Sequence, residues 1–302
     1  MTEARAFPTI SDDDRLVVTG ASGWMGREVL ARLLATRPRV EVLPIASQAR
    51  TFTVSGARFD AHPWSERLIE SWRPTLAIHL AFLTREAVSE FGQDAYIQRN
   101  NAITALAMRL YSIPTMRGLV IASSGAAIVA RNDTYGSLKS QDEALFTSLG
   151  ESTGLPTVIA RIWSVSGAYC TKPSLFAFSN LLDQTLTQGE VHINAKHEVW
   201  RRYVDAGEFL EVCLTAAGDQ SHEVIDSAGP LIEIGPLAQL MQDVLGARLP
   251  IHREYPSEPA DRYFANSPNL ESRSEDFGIS LTDLAGQVLR SVSQRGSRSR
   301  AQ

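Results

Sequence analysis

Two short stretches of the 302-residue chain carry side chains suited to moving a proton. Ser123-Ser124-Gly125 follows the apolar run Leu119-Val120-Ile121, and eleven residues after Ser124 comes Tyr135-Gly136-Ser137-Leu138-Lys139. On a helix, positions i and i+4 lie on one face a turn apart, so Tyr135 and Lys139 would stand together. A free phenol ionises near ~10 and is a poor acid–base group at neutral pH. An adjacent ammonium stabilises the phenolate and draws that value toward the working range. A serine hydroxyl opposite would hold the oxygen that gains or loses the proton. The chemistry on offer is proton transfer at a substrate oxygen.

A further stretch offers an anion site. Thr19-Gly20-Ala21-Ser22-Gly23-Trp24-Met25-Gly26 lies between the apolar Leu16-Val17-Val18 and a segment of helical periodicity. Gly20 permits a tight turn, Gly23 lets backbone approach a pyrophosphate, and Gly26 allows close helix–strand packing. The helix N-terminus adds unpaired N–H groups and a positive dipole end. A glycine triplet between strand and helix reads as a dinucleotide site, with Gly20, Ser22, Gly23, Trp24, Met25 and Gly26 around it. A dinucleotide with a free ribose 2′-hydroxyl is usually met by an acidic residue about 20 positions on. Here the second strand ends Pro44-Ile45-Ala46-Ser47-Gln48-Ala49-Arg50, without a carboxylate. Ser47 and Arg50, with Arg27 near, suit a 2′-phosphate. NADP is therefore expected ahead of NAD.

Positioning these groups takes alternating strands and helices. Strands are expected at 16–18, 40–45, 76–80, 119–121 and 157–162, and helices at 27–36, 64–72, 94–111 and 135–149. The longest of these, 94–111, carries Ile97, Ile103, Leu106 and Leu110. The alternation implies right-handed crossovers and an α/β fold, a Rossmann-type doubly wound parallel sheet. After Gly167 the rhythm changes: helices at 175–186 and 206–217, strands at 191–193 and 224–225, and four prolines between Pro250 and Pro268. The expected organisation is a dinucleotide-binding domain over 14–166 and a smaller C-terminal substrate-binding lobe over 167–290, part of it returning to the sheet. Residues 1–13 and the Ser/Arg-rich 291–302 read as flexible tails.

Composition narrows the rest. Hydrophobic residues at 44% and charged residues at 21% are enough for a full core and exclude a disordered chain. Lys+Arg 29 against Asp+Glu 34 leaves no polycationic footprint for nucleic acid. Cys170 and Cys213 form neither a disulfide framework nor a metal-ligand spacing. His192 and His197 lack a third ligand, and no metal is expected. The N-terminal stretch has no signal-like apolar run, and no segment has the ~18 apolar residues of a membrane span. A cytoplasmic location without membrane partners follows as the expectation. Trp163, Phe176 and Phe178 read as packing residues.

At this point the chain resembles the extended short-chain dehydrogenases/reductases, specifically the nucleotide-sugar epimerase/dehydratase family, from about Leu16 to Leu289. Residues 19–26 resemble its TGxxGxxG turn, and Tyr135-x-x-x-Lys139 its catalytic pair, with Ser124 in the place of its catalytic Ser/Thr. Ile78-His79-Leu80-Ala81 resembles the segment whose backbone, at Leu80 and Ala81, lines the cofactor. Phe59-Asp60 resembles the segment whose Asp bonds the adenine. Of Asn100-Asn101, Asn101 is taken as the equivalent of the family's supporting Asn. Residues 160–167 resemble its LRxxNxYGP segment, with Ser164 for the Asn. Arg201-Arg202-Tyr203-Val204-Asp205 resembles RDFVHVDD, in which the arginine grips a nucleotide diphosphate. By this resemblance Ser164, Asn180 and Arg201 would bind substrate, and Lys139 would also bond the nicotinamide ribose.

The departures carry information too. Dehydratases follow their catalytic Thr with an Asp-Glu pair, whereas Gly125-Ala126 stands here, which argues against a 4,6-dehydratase. The Ser-to-Tyr interval is about half the family's usual length. The resemblance thus implies an NADPH-dependent reductase of a keto group on a nucleotide-linked sugar. An epimerase holding NAD tightly is the alternative, and a non-catalytic dinucleotide sensor a further one. It also implies a homodimer packed through the helices at 94–111 and 135–149.

Overall fold

The structure is a computed structural model that describes residues 10–219, 221–254 and 258–296. Strand β1 (Arg15–Thr19) is apolar and buried at Leu16, Val17 and Val18, as a strand covered on both faces must be. Helix α1 (Trp24–Thr36) buries Gly26, Val29, Leu30 and Leu33 at helical spacing, and β2 (Glu41–Ile45) returns parallel to β1. The sequence reading had no element at 50–61; the chain forms a hairpin there, β3 (Arg50–Val54) and β4 (Ala57–Ala61). Phe52 and Val54 face inward between exposed threonines. Ser55 and Gly56, at φ 48° and 82°, make the two-residue turn that suits strand twist. Just past β4, His62 bridges Ile45 in parallel at the sheet edge.

Helix α2 (Glu66–Trp72), β5 (Leu76–His79), α3 (Ala87–Phe91), α4 (Gln93–Met108), β6 (Gly118–Ser124), α5 (Ala126–Val129), α6 (Thr134–Thr153) and β7 (Thr157–Ile162) follow in turn. The short α5 fills the interval between the serines and Tyr135 that sequence left as a shortened loop. Helix α4 is rotated from the sequence expectation. Its buried stripe is Tyr96, Asn100, Thr104 and Ala107, while Leu106 and Met108 face outward. Thr104 Oγ1 donates to Asp142 on α6 at 2.9 Å, which ties the two helices together.

Beyond β7 come β8 (Val165–Ser166), α7 (Ala177–Thr187), β9 (Val191–Ile193), β10 (His197–Arg202), β11 (Val204–Asp205), α8 (Ala206–Gly218) and β12 (Glu223–Asp226). The main sheet runs β12-β7-β6-β5-β1-β2, with every neighbouring pair parallel. Helix α8, buried at every residue, covers it and closes on Gly118, where a Cβ would strike the Ala217 carbonyl. The sheet layer thus takes α8 and β12 from the second half of the chain.

The lobe adds β13 (Leu231–Glu233), α9 (Ile234–Leu245), β14 (Ile251–Arg253), β15 (Glu258–Arg262), α10 (Leu270–Asp276) and α11 (Leu284–Gly296). Its largest sheet is β13-β10-β15. Phe178, Leu182, Val191, Leu237, Met241 and Val288 form its core. The expected tail from 291 is corrected in part: α11 runs to Gly296, with Ser291 buried. Leu284, Val288 and Val292, four apart, pack against the lobe core and extend the helix. The rest of that tail, and residues 1–9, lie outside the described residues.

Candidate active site

The glycine turn is shaped by its contacts. Gly20 has φ +70°, and a Cβ there would lie 2.8 Å from the Ala81 amide nitrogen, so only glycine allows β1 and the Leu80-Ala81 backbone to meet. At Gly26 a Cβ would run into the Gly20 carbonyl. The Thr19 hydroxyl fastens the same junction. It bonds His79 Nδ1 at 2.8 Å and accepts the Leu80 amide at 3.2 Å and the Ala81 amide at 3.4 Å. Burial, helped by the charge of Lys139, lowers the His79 pKa to about 3, so its imidazole is neutral. Helix α1 begins at Gly23 with no side-chain cap and no acidic residue in its first turn. Its first amides are therefore left for an anion, which is what a dinucleotide pyrophosphate needs. Trp24 closes one side: its indole donates to Glu28 at 2.9 Å, and its ring meets Phe176 edge-on at 4.7 Å. Ser22 and Met25 are half-buried in this turn.

Ser124 and Tyr135 do come together. Ser124 ends β6, nearly buried, and its Oγ accepts the Ala126 amide at 3.2 Å. Asp133 starts α6 by accepting the Gly136 amide at 2.6 Å, and this cap presents Tyr135 to the serine. Burial pushes the Tyr135 phenol up to about 12, against a lowering hydrogen bond with Ser124 and a lowering charge on Arg85. Lys139 lies buried on α6, one turn beyond Tyr135. Its ammonium donates to the Ala122 carbonyl at 2.9 Å and lies 3.6 Å from the centroid of the Phe82 ring. The cation that acts on Tyr135 is Arg85, 5.7 Å from its ring and paired with Asp133 at 2.6 Å. Burial holds Lys139 down to about 8, partly offset by Asp142 and Glu143.

The serine has a second phenol beside it that sequence reading did not find. Tyr263, just after β15, places its hydroxyl 3.3 Å from Ser124 Oγ. Its ring lies 5.0 Å from Trp163, which itself rests on Gly125, where a Cβ would strike the indole. Trp163 is fixed by its indole N–H, which donates to Asp226 at 2.5 Å. Asp226 also pairs with Arg161 at 3.3 Å, and Arg161 pairs with Glu143 at 2.7 Å. Ser123 donates to the same Glu143 at 2.5 Å. An ionic network thus braces the floor under the two serines.

Other expected positions divide. Leu80 and Ala81 line the glycine turn as described. Ser47 and Arg50 are exposed just past the end of β2. Asn101 is exposed on α4, and the neighbouring Asn100 is buried instead. Asn100 Oδ1 accepts the Leu83 amide at 2.9 Å, and its Nδ2 donates to the Leu83 carbonyl at 3.4 Å. Tyr96 donates to that carbonyl at 2.9 Å, so α4 braces the loop carrying Phe82 and Arg85. Asp60 lies on the outer face of the hairpin, taken up by Thr51 at 2.5 Å and Arg58 at 3.3 Å. Arg201 pairs with Asp261 at 2.6 Å and sits 5.5 Å from the Tyr263 ring. Ser164 is half-buried beside Trp163. Asn180 is engaged within the lobe, donating to the Ser174 carbonyl and accepting from Gln184. His192 bonds Glu190 at 2.8 Å on the lobe's surface, and its ring stacks on His252.

Among solved structures, UDP-glucose 4-epimerase of Thermotoga maritima with UDP-glucose superposes with a TM-score of 0.71 at 18% identity, covering 95% of this chain and 100% of that one. The dTDP-glucose 4,6-dehydratase of Bacillus anthracis in complex with NAD gives 0.72 at 13% identity, covering 95% and 98%. RMD of Pseudomonas aeruginosa complexed with NADPH gives 0.68 at 20% identity, covering 94% and 98%. At these identities the likeness is one of fold. No curated protein matches the sequence. The profile of the NAD dependent epimerase/dehydratase family matches residues 16–226, from the first strand of the main sheet to its last. The chain belongs to that family, the extended short-chain dehydrogenase/reductase class of enzymes.

Proposed function

We propose that the protein reduces a keto group on a nucleotide-linked sugar, with NADPH as its cofactor. The observation that carries this reading is the meeting of Ser124, at the end of β6, with Tyr135, in the first turn of α6. It presents a hydroxyl and a phenol to one substrate oxygen, at the carboxyl end of a parallel sheet where such folds bind ligands. Gly125 and Ala126 supply no acid–base pair next to the serine, which separates the site from a dehydratase. A dinucleotide held here would supply a hydride to the carbonyl carbon. Ser124 holds the carbonyl oxygen, and Tyr135 O–H gives it the proton. Gly20, Ser22, Gly23, Trp24 and the opening amides of α1 would hold its pyrophosphate, with Leu80 and Ala81 beside them. Ser47 and Arg50, at a strand end without a carboxylate, support a 2′-phosphate. Arg201 would turn from Asp261 to a substrate diphosphate.

An epimerase with retained NAD is the second reading, favoured by the UDP-sugar epimerases among the fold's neighbours. A homodimer through α4 and α6 is supported by the outward Leu106 and Met108. The test is a screen of NADPH and NADH oxidation against keto-sugar nucleotides and simple ketones, with Tyr135→Phe as control. NADPH consumption lost in that variant while NADPH still binds supports the reductase. NAD retained through purification, with sugar inversion and no net NADPH use, replaces it with the epimerase.

A further inference from the structure

We infer that Tyr263 is a positioning residue for the reaction: by giving its O–H to Ser124 it leaves the serine's one proton for the substrate oxygen. The inference deepens the reading just given and rests on it. A serine hydroxyl has one donor and two acceptor positions. The Ala126 amide, 3.2 Å from Ser124 Oγ, fills one acceptor position. The Tyr263 hydroxyl stands 3.3 Å from the same oxygen. With the Tyr263 O–H on the second position, both lone pairs of Ser124 are taken and its proton has one direction left. A substrate oxygen then meets a donor already aimed, with no hydroxyl to reorient as charge develops.

The surroundings of Tyr263 suit it to be the donor of that pair. Burial raises its pKa, so the phenol keeps its proton at neutral pH. Its ring lies 5.0 Å from Trp163, and Trp163 is pinned twice. The Trp163 amide donates to Ser227 Oγ at 2.8 Å, and its indole N–H donates to Asp226 at 2.5 Å. The Arg201 guanidinium lies 5.5 Å from the Tyr263 ring and is itself held by Asp261 at 2.6 Å. The Tyr263 amide donates to the Trp200 carbonyl at 3.4 Å, continuing the pairing of β15 with β10. A strand of the lobe thereby orients a hydroxyl that belongs to the main sheet.

The test uses Tyr263→Phe, which keeps the ring on Trp163 and removes only the hydroxyl. With the substrate that the screen identifies, kcat should fall about fivefold, the effect of one net hydrogen bond, while KM and NADPH binding stay near wild type. In a Ser124→Ala background the same substitution should change kcat by less than about twofold, since no serine proton is left to aim. An equal fall in both backgrounds assigns the loss to packing and overturns the inference. A Tyr263 hydroxyl that only sat in the substrate's place would act the other way. Tyr263→Phe would then lower KM with kcat unchanged or raised, and that result overturns the inference too. Failure of the reductase reading shows separately, as no NADPH oxidation by the wild type with any carbonyl compound. The donor assignment is then judged without substrate, as it is where Ser124→Ala is inactive. In protein labelled with tyrosine carbon-13 at Cζ, the Tyr263 resonance is identified by its loss in Tyr263→Phe. Ser124→Ala should move it upfield, as for a phenol that no longer donates. A resonance that stays in place or moves downfield overturns the inference.

Discussion

The Lys139 ammonium packs against the face of the Phe82 ring, its Nζ 3.6 Å from the centroid. A cation over an aromatic face is attracted to it, but the same ring excludes water from the charge. Burial is the larger influence, since it holds Lys139 down to about 8. Phe82→Ala should let water in, so the Lys139 pKa should move back toward the ordinary lysine value. Any limb of the pH–rate profile that reports this group should then move to higher pH. A limb that stays in place or moves down would show that the ring stabilises the charge more than it dehydrates it.

The same lysine should cost stability. Between about 8 and 10.5 the unfolded chain keeps a proton that the folded chain has released, so this group's cost disappears as pH rises through that window. Lys139→Met keeps the volume and removes the buried charge. It should raise unfolding stability at pH 7 by on the order of 1 kcal/mol. The gain over wild type should shrink by pH 10. Urea titrations at both pH values read this directly, and a less stable variant at pH 7 would refute it.

Arg85 is the cation that works on Tyr135, reaching it from the loop after β5. Its positive charge favours the phenolate, so Arg85→Ala should raise the Tyr135 pKa further. An exposed guanidinium is well screened, and a shift of about half a pH unit in the corresponding rate limb is expected. Arg85→Lys should restore most of it. Raising the salt concentration should shrink the difference between wild type and Arg85→Ala.

The two adjacent asparagines should separate cleanly. Asn100→Ala strips the Leu83 amide of its acceptor inside the fold and should cost about 1–3 kcal/mol. It should also loosen the loop that places Phe82 and Arg85, and so lower kcat. Asn101→Ala changes an exposed side chain and should stay within about 0.5 kcal/mol of wild type. Thermal unfolding of both variants side by side is sufficient.

What could be read from sequence was local. The glycine turn and the Tyr135–Lys139 spacing each rest on a few consecutive residues, and both fold where periodicity puts them. Which of the two asparagines faces inward was not legible, because it depends on the rotation of α4. Ile97, Ile103 and Leu106 mark an apolar side, yet the inward stripe is Tyr96, Asn100, Thr104 and Ala107, which hold a loop. Tyr263 had no local signal at all. It reaches Ser124 across 139 residues of chain, brought by the pairing of β15 with β10. The surroundings of Lys139 were hidden for a related reason: the spacing places it one turn from Tyr135, and its contacts with Phe82 and the Ala122 carbonyl come from distant parts of the chain.

Acid stability should depend on the base of the sheet. Asp14 lies just before β1, almost wholly buried, and accepts from Arg117, from Thr75 Oγ1 at 2.7 Å and from the Ser11 amide at 2.7 Å. Burial alone would raise this carboxyl, but those bonds outweigh it and hold its pKa below the ordinary value. A carboxyl lowered by folding contributes stability above its unfolded pKa and loses it as pH falls through the folded one. Asp14→Asn keeps the shape and removes the charge, leaving Arg117 without its partner. It should cost about 3 kcal/mol at pH 7. The gap to wild type should close below the folded pKa, where wild type has lost the charge as well. Unfolding midpoints from pH 7 to pH 2 would trace that convergence, and a gap constant with pH would assign the loss to packing instead.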